Sequence, residues 1–589
     1  MNSFTKSKAP VLPSYTSALN LAESFSDYFT SKIETIRKKI DDSPSNSTSD
    51  TSNNPTHSIN GFAHATEDEV LKIIKQSKNS SCQLDAIPTS LLKESIDALL
   101  PTITTILNKS LSSGIVPPCL KHAVIHPLLK KADLDAESFK SYRPVSNLPF
   151  LSKILEKVIS KRLLEHMDKA GHHEIMQSAY KQYHSTETAL VKVQNDILTN
   201  LDKKRGVILV LLDLSAAFDT IDHDKLFYQI QHRLGISERA LQWFRSCLSG
   251  RTQAVSVGSE CSRPAELRYG VPQGSVLGPL LYTIYTLPLG DLLRDAGVGY
   301  HLYADDTQLY LSFDFIDPLS QSETLDIMQQ CVLKIKSWMT GNKLKLNDDK
   351  TEVMYISSSY FHKQIVLNDF TIDSTSIAVT KSARNIGIIF DENMTMKEQV
   401  TAICKAAHFH LRNIGSIRKS ITYEACEKLI HAFVTSRLDC GNALLFGLPD
   451  NQHKRLQRML NNAARILTLT SVYSHITPIL KELHWLPIPQ RIEYKILLLT
   501  FKALHGLAPL YLTNLLTPYR TVERKTRSSE ANFLQIPDTR TKTFGDRAFS
   551  WAAPTLWNKL PDKLRKMDNL EGFKSAIKTV LFSSAYGNV

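Results

Sequence analysis

The chain has 589 residues, 42% of them hydrophobic, and a formal net charge of +12. That apolar content supports a large buried core divided over two or three units and excludes a wholly disordered or fibrous chain. The positive excess is localised: from residue 401 onward there are 27 Lys and Arg against 13 Asp and Glu, while residues 1–400 carry about −2, so the last third is the part suited to a polyanion, nucleic acid first.

Eight cysteines include no Cys-x-x-Cys pair and no histidines at finger spacing, which argues against a zinc site and for reduced thiols. The N-terminal "MNSFTKSKAP" is polar, and no apolar run approaches the length of a bilayer crossing. A soluble intracellular protein with no membrane partner is expected.

In chain order, Leu21, Phe25, Tyr28, Ile33, Ile36 and Ile40 fall at helical spacing, and the Ser/Asn/Asp/Pro tract that follows reads as a disordered linker, giving a first segment 1–66. Short helices broken at prolines are expected over 67–131. Leu151, Ile154, Leu155, Val158, Ile159 and Leu163 form one stripe of a further helix. "GVILVLLDL" predicts a strand buried on both faces. "HDKLFYQIQHRLG" predicts a helix ending at Gly235, and "SERALQWFRSCLSG" another, with Ser237 as N-cap. "RTQAVSVG" reads as a strand and "GSVLGPLLYTIYTL" as a helix. The pattern beyond about 400 is mostly helical.

Three acids stand out. Asp213 ends the apolar strand, and Asp305 and Asp306 sit side by side in "YADDTQLY", a hairpin between apolar segments. Two unit charges about 4 Å apart repel by ~1 kcal/mol in water and several times more when partly buried, so folding alone gives no reason for the pair. A solvated turn and a helix cap are the plain alternatives. Together, three carboxylates on two buried strands are what a two-metal phosphoryl-transfer site requires, with Mg2+ as the hard-oxygen ion and Mn2+ as an alternative. Between them, "YGVPQGSVLGPLL" is too rich in glycine and proline for a helix interior and reads as a loop permitting close backbone approach to a base pair or template.

In their order and spacing, "DLSAAFDTIDH", "YGVPQGSVLGPLL", "YADDTQLY", "LKLNDDKTEVMYI" and "ARNIGIIFD" resemble motifs A to E of reverse transcriptases. "SYRPVSNLPFLSKILEKVI" and "QSAYKQYHSTETAL" resemble the fingers motifs. The chain is similar to the polymerase of a non-LTR retrotransposon of the jockey and chicken-repeat type, over roughly 65–589. The resemblance implies an α+β right-hand polymerase: a fingers extension over 67–140, fingers and palm over 141–394, a helical basic thumb over 395–470 and a helical C-terminal domain over 471–589. It implies Asp213, Asp305 and Asp306 as metal ligands, and Lys350 as general acid to the departing pyrophosphate. Phe218 is implied as the ring that excludes a 2′-hydroxyl, and Gln273 and Gly274 as lining the nascent base pair. Arg143, Lys153 and Lys181 become candidates for phosphates.

Two departures matter. Relatives usually carry Gly-Phe-Arg where this chain has Ala179, Tyr180 and Lys181, which keeps the charge but loses a bidentate donor. Nothing in 1–66 resembles the upstream endonuclease of complete elements, so a truncated copy or fragment is expected, with the nuclease supplied by a full-length element. Beyond 400, apolar stripes alternate with Lys405 and Arg412 on one helix and Arg455, Arg458 and Arg465 on another, spacing that suits a template-primer backbone as well as a solvated face. The expected partners are an RNA template, a DNA primer and dNTPs, in a nuclear and cytoplasmic ribonucleoprotein. The alternatives are a catalytically silent RNA-binding relic and an RNA-dependent RNA polymerase, the latter disfavoured by Phe218.

Overall fold

The computed structural model describes residues 11–42, 57–79, 82–367, 369–373, 375–519 and 532–587. Most of the predicted linker therefore lies outside the described residues. The chain forms two compact units of interleaved segments: 1–174, 214–296 and 333–347 in the first, and 175–213, 297–332 and 348–589 in the second. The boundaries read from sequence are linear and do not coincide with these units, since 141–394 contributes to both.

In the first unit, strand His122–Leu129 pairs antiparallel with Tyr142–Asn147 and parallel with Thr252–Val257. The first of these strands is an addition to the helical segments expected over 67–131, its pattern broken by His126 and Pro127. Pro127 is tolerated because the strand's second neighbour pairs only with His122 to Ile125, so no ladder partner is lost there. Helix Ile96–Ser113 also departs from expectation by running through Pro101, which lies in its second turn. Helix Ala18–Asp41 is capped by Ser17, which accepts from Asn20 N, and carries Lys38 and Lys39 in its last turn. Its Leu21, Ala22, Phe25 and Phe29 bury against Ile125, Tyr142, Val255 and Val257.

Helix Phe150–Ala170 buries Ile154, Leu155, Val158, Ile159 and Leu163 as the periodicity requires, and Gly171 at φ 67° ends it. Ser237 does occupy the N-cap position of helix Glu238–Leu248, but its hydroxyl makes no cap bond and instead donates to Asn60 Oδ1 at 2.8 Å.

The second unit is built on a four-stranded antiparallel sheet. Its order is Gly299–Tyr303, Asp306–Asp314, Arg205–Leu212, Glu352–Ile356. The strand Arg205–Leu212 is central and almost wholly buried, which is why it reads as a continuous apolar run. Helix Thr186–Asp202, started by a capping box of Ser185 and Thr188, buries Leu190, Ile197 and Leu198 in a core with Val207, Leu209 and Met354. That core continues without a break into Val400, Leu411, Leu456 and Leu460 and on to Phe501, Trp557 and Phe573. The segments expected as thumb and C-terminal domain thus share one apolar interior with the sheet. Among the described residues no helix is long and apolar enough to cross a membrane.

Candidate active site

The register of the central sheet brings the acids together. Leu212 pairs with Thr307 on one side and Leu211 with Glu352 on the other, so Asp213 leaves the central strand beside the start of strand Asp306–Asp314. Tyr303 pairs with Asp306 across a two-residue turn of Ala304 and Asp305. Ala304 holds φ at 56°, a left-handed conformation that a side chain with Cβ disfavours by roughly 1 kcal/mol.

Gln177 holds this turn in place. It is 3% exposed, its Oε1 accepts from Ala304 N at 3.0 Å and from Ala179 N at 2.9 Å, and its Nε2 donates to Ala304 O at 3.4 Å. Sequence reasoning passed over this residue. The only signal was its place in "QSAYKQYHSTETAL", because a single glutamine carries no periodicity to mark it.

Asp213, Asp306, Asp349, Lys350 and Glu352 line a cleft of about 410 Å³ with Gln308, Arg384 and Asn385. Lys350 donates to Asp213 Oδ2 at 2.9 Å. Loss of hydration at its carboxyl, followed by the charges of Asp305 and Asp213, pushes Asp306 up to about 6, with Lys350 opposing, although the residue as a whole remains exposed. Burial also raises Glu352. Tyr180, at φ 60°, is raised by burial and then by Asp305, which places that ring within the field of the acids.

The donors are hard carboxylate oxygens crowded enough to repel one another, which fits a divalent cation. Among the described residues, however, no three His, Cys, Asp or Glu side chains close into a ready-made metal cage. Mg2+ usually keeps water and substrate phosphates in its shell and takes only one or two carboxylates from the protein, so an open set of this kind is compatible with it.

Other candidate residues lie in the first unit. Phe218 is half-buried, its ring stacked on Tyr282 with centroids 4.7 Å apart. Gln273 donates through Nε2 to Oδ1 and Oδ2 of Asp219, both at 2.9 Å, and Asp219, which the sequence did not single out, is pushed up to about 6 by burial, opposed by that hydrogen bond and by Lys32. Two glycines of this loop are also required by packing inside this unit. A Cβ at Gly270 would lie 2.6 Å from the carbonyl oxygens of Phe218 and Asp219, and one at Gly274 would lie 2.4 Å from the carbonyl of Ser146. Glu156, buried in helix Phe150–Ala170, anchors the same loop by accepting from Val276 N and Leu277 N. Arg143 is exposed on the edge strand, whereas Lys153 donates to Asn147 Oδ1 at 3.0 Å. Lys181 belongs to the second unit and is half-buried.

The basic helices divide into two kinds. Lys405, Arg412 and Arg458 are exposed. Arg455 is held by Gln452 Oε1 at 3.0 Å and Thr401 Oγ1 at 2.8 Å, and Arg465 donates to the carbonyls of Ser471 and Ser474, closing the loop after its helix. These two arginines have structural partners that helical spacing could not reveal.

Acids at the ends of paired strands, in one cleft with a lysine, are an arrangement suited to nucleotidyl transfer. Residues 129–390 match the family described as reverse transcriptase (RNA-dependent DNA polymerase). Relatives to which the chain is similar are described as RNA-directed DNA polymerases, or probable ones, of transposons and mobile elements. It is 27% identical over 406 residues to the probable RNA-directed DNA polymerase from transposon X-element of Drosophila melanogaster, covering 67% of this chain and 43% of the relative. It is 25% identical over 437 residues to the corresponding protein of transposon BS of the same fly, covering 72% and 47%. It is 29% identical over 314 residues to the RNA-directed DNA polymerase from mobile element jockey of Drosophila funebris, covering 52% and 33%. The chain spans less than half the length of each of these relatives.

Proposed function

We propose that this chain extends a primer 3′-hydroxyl with dNTPs on an RNA template, as the polymerase of a non-LTR retrotransposon. The observation that carries this reading is the register that sets Asp213 beside Asp306 at the ends of paired strands, in one cleft with Lys350. Asp213, Asp305 and Asp306 would hold two Mg2+ ions, with Mn2+ as an alternative, which when bound neutralise charge on the attacking and leaving oxygens of an in-line phosphoryl displacement. Lys350 carries a proton on Nζ within that cleft and can deliver it to a departing pyrophosphate. Phe218 presents a ring anchored on Tyr282, a rigid edge suited to excluding a 2′-hydroxyl. Lys405, Arg412 and Arg458 offer exposed charge to the phosphates of template and primer. An endonuclease supplied by a full-length element and a ribonucleoprotein shared between cytoplasm and nucleus complete the reading.

The test is primer extension on poly-rA/oligo-dT with dTTP and Mg2+. Incorporation that stops with EDTA and does not occur with UTP is expected. Tight RNA binding without any incorporation would favour a catalytically silent relic.

A further inference from the structure

Helix Lys397–Ile417 of the second unit buries Val400, Ile403, Ala407, Leu411 and Ile414 along one stripe. Phe409 lies off that stripe and is 60% exposed, so its ring adds little to the core. At spacings of four and three it shares a helix face with Lys405 and Arg412, both exposed. The turn His431–Thr435 is π-helical, a form frequent at functional sites. It buries Val434 and Thr435 and leaves Phe433 42% exposed. His410 links the two phenylalanines: its ring stacks on Phe433 with centroids 5.2 Å apart and planes 20° apart, and meets Phe409 at 5.2 Å and 80°. Loss of hydration and then the charge of Arg437 hold the His410 pKa below its ordinary value of 6.5, so at pH 7 the imidazole is a neutral aromatic surface.

The surroundings are positive. No Asp or Glu occurs between Glu398 and Glu424 or between Glu427 and Asp439, whereas Lys405, Arg412 and Arg437 are exposed and pair with no acid among the described residues. Contacting rings outside the core, rimmed by such cations, match a single strand of nucleic acid, whose bases stack on rings while its phosphates meet the charges. A duplex offers the phosphates but keeps its base faces stacked inside.

We infer that Phe409, His410 and Phe433 form a stacking platform for one or two unpaired bases of single-stranded RNA, with Lys405, Arg412 and Arg437 on the adjoining phosphates. The choice of RNA rests on the polymerase reading above, in which the uncopied template is single-stranded RNA.

The experiment is fluorescence anisotropy of the full chain, across a salt series, with three probes: a single-stranded RNA of about 16 nucleotides, the same RNA annealed to complementary DNA, and the same RNA backbone without bases. Phe409→Ala combined with Phe433→Ala should weaken binding of the single strand by about ten- to hundredfold, the scale of losing one or two stacked bases. Affinity for the duplex and the abasic strand should stay within about twofold, and the salt slope should not change, because no phosphate contact is lost. Phe409→Trp, which keeps a ring face, should bind the single strand within about threefold of wild type. Melting temperatures should stay close to wild type, because both rings lie at the surface. Unchanged affinity of the double alanine variant for the single strand, or an equal loss with all three probes, would overturn the inference. Normal primer extension without the stacking effect overturns this inference alone, whereas the stacking effect in a chain that extends no primer overturns the polymerase reading alone. A folded wild type that binds no RNA overturns both.

Discussion

Nζ of Lys350 lies 2.9 Å from Oδ2 of Asp213, an ion pair in which the lysine side chain is 65% exposed and the aspartate 28%. The lysine places positive charge where three acids otherwise repel one another, yet so exposed a pair contributes little to stability. Lys350→Ala should therefore leave the melting temperature almost unchanged and lower the extension rate by about a hundredfold, the usual scale for losing a general acid. Rapid-quench single-turnover kinetics check it; an unaltered rate would make Lys350 a spectator.

Asp219 supplies a pH prediction. Its ordinary value near 3.8 is raised to about 6 by burial. Below about pH 4 the carboxyl is protonated folded or unfolded and costs nothing, whereas above about 6 the native state must keep a poorly hydrated charge. Its contribution to stability thus falls as pH rises from about 4 to 6. Asp219→Asn should be more stable than wild type at pH 7 by about 1–2 kcal/mol and equal to it at pH 4. Chemical denaturation at both pH values checks this, and an identical difference at each would contradict it.

The two kinds of basic residue should separate in salt titrations. Arg412→Ala with Arg458→Ala should weaken template-primer binding and flatten the log–log salt dependence by about one unit per lost phosphate contact. Arg465→Ala, which removes donors to the carbonyls of Ser471 and Ser474, should lower the melting temperature and leave the salt slope alone. Fluorescence anisotropy across 50 to 300 mM salt, roughly the range in which such slopes are resolved, distinguishes them.

Phe218→Ala tests sugar selection. Removing a ring that blocks a 2′-hydroxyl should raise the ratio of rNTP to dNTP incorporation by about a hundredfold, a few kcal/mol of discrimination. Because the ring also stacks on Tyr282, some stability is lost as well. An unchanged ratio with a large fall in melting temperature would assign Phe218 to packing alone.

How much of this was legible follows from what each residue's neighbours are. The strand before Asp213 and the hairpin at Asp305 could be read because their apolar runs are local and their pairing, Tyr303 to Asp306, spans two residues. Gln177 could not, since the turn it holds, at Ala304, lies 127 residues away in sequence. Arg455 and Arg465 look like any basic helix face until their acceptors are seen. The shared core of helix Thr186–Asp202 with Phe501 and Trp557 rests on contacts between distant segments that no periodicity records. The glycines were read as ligand-facing, but Gly270 and Gly274 also answer a demand from the chain's own carbonyls.

The most direct test of the polymerase account is extension by Asp305→Asn and Asp213→Asn on poly-rA/oligo-dT. The account predicts that each amide, isosteric with the acid but uncharged, keeps template-primer affinity and melting temperature close to wild type and lowers extension by about a thousandfold or more, the scale set by losing electrostatic stabilisation at the reacting phosphate. Extension within tenfold of wild type in either variant would contradict it.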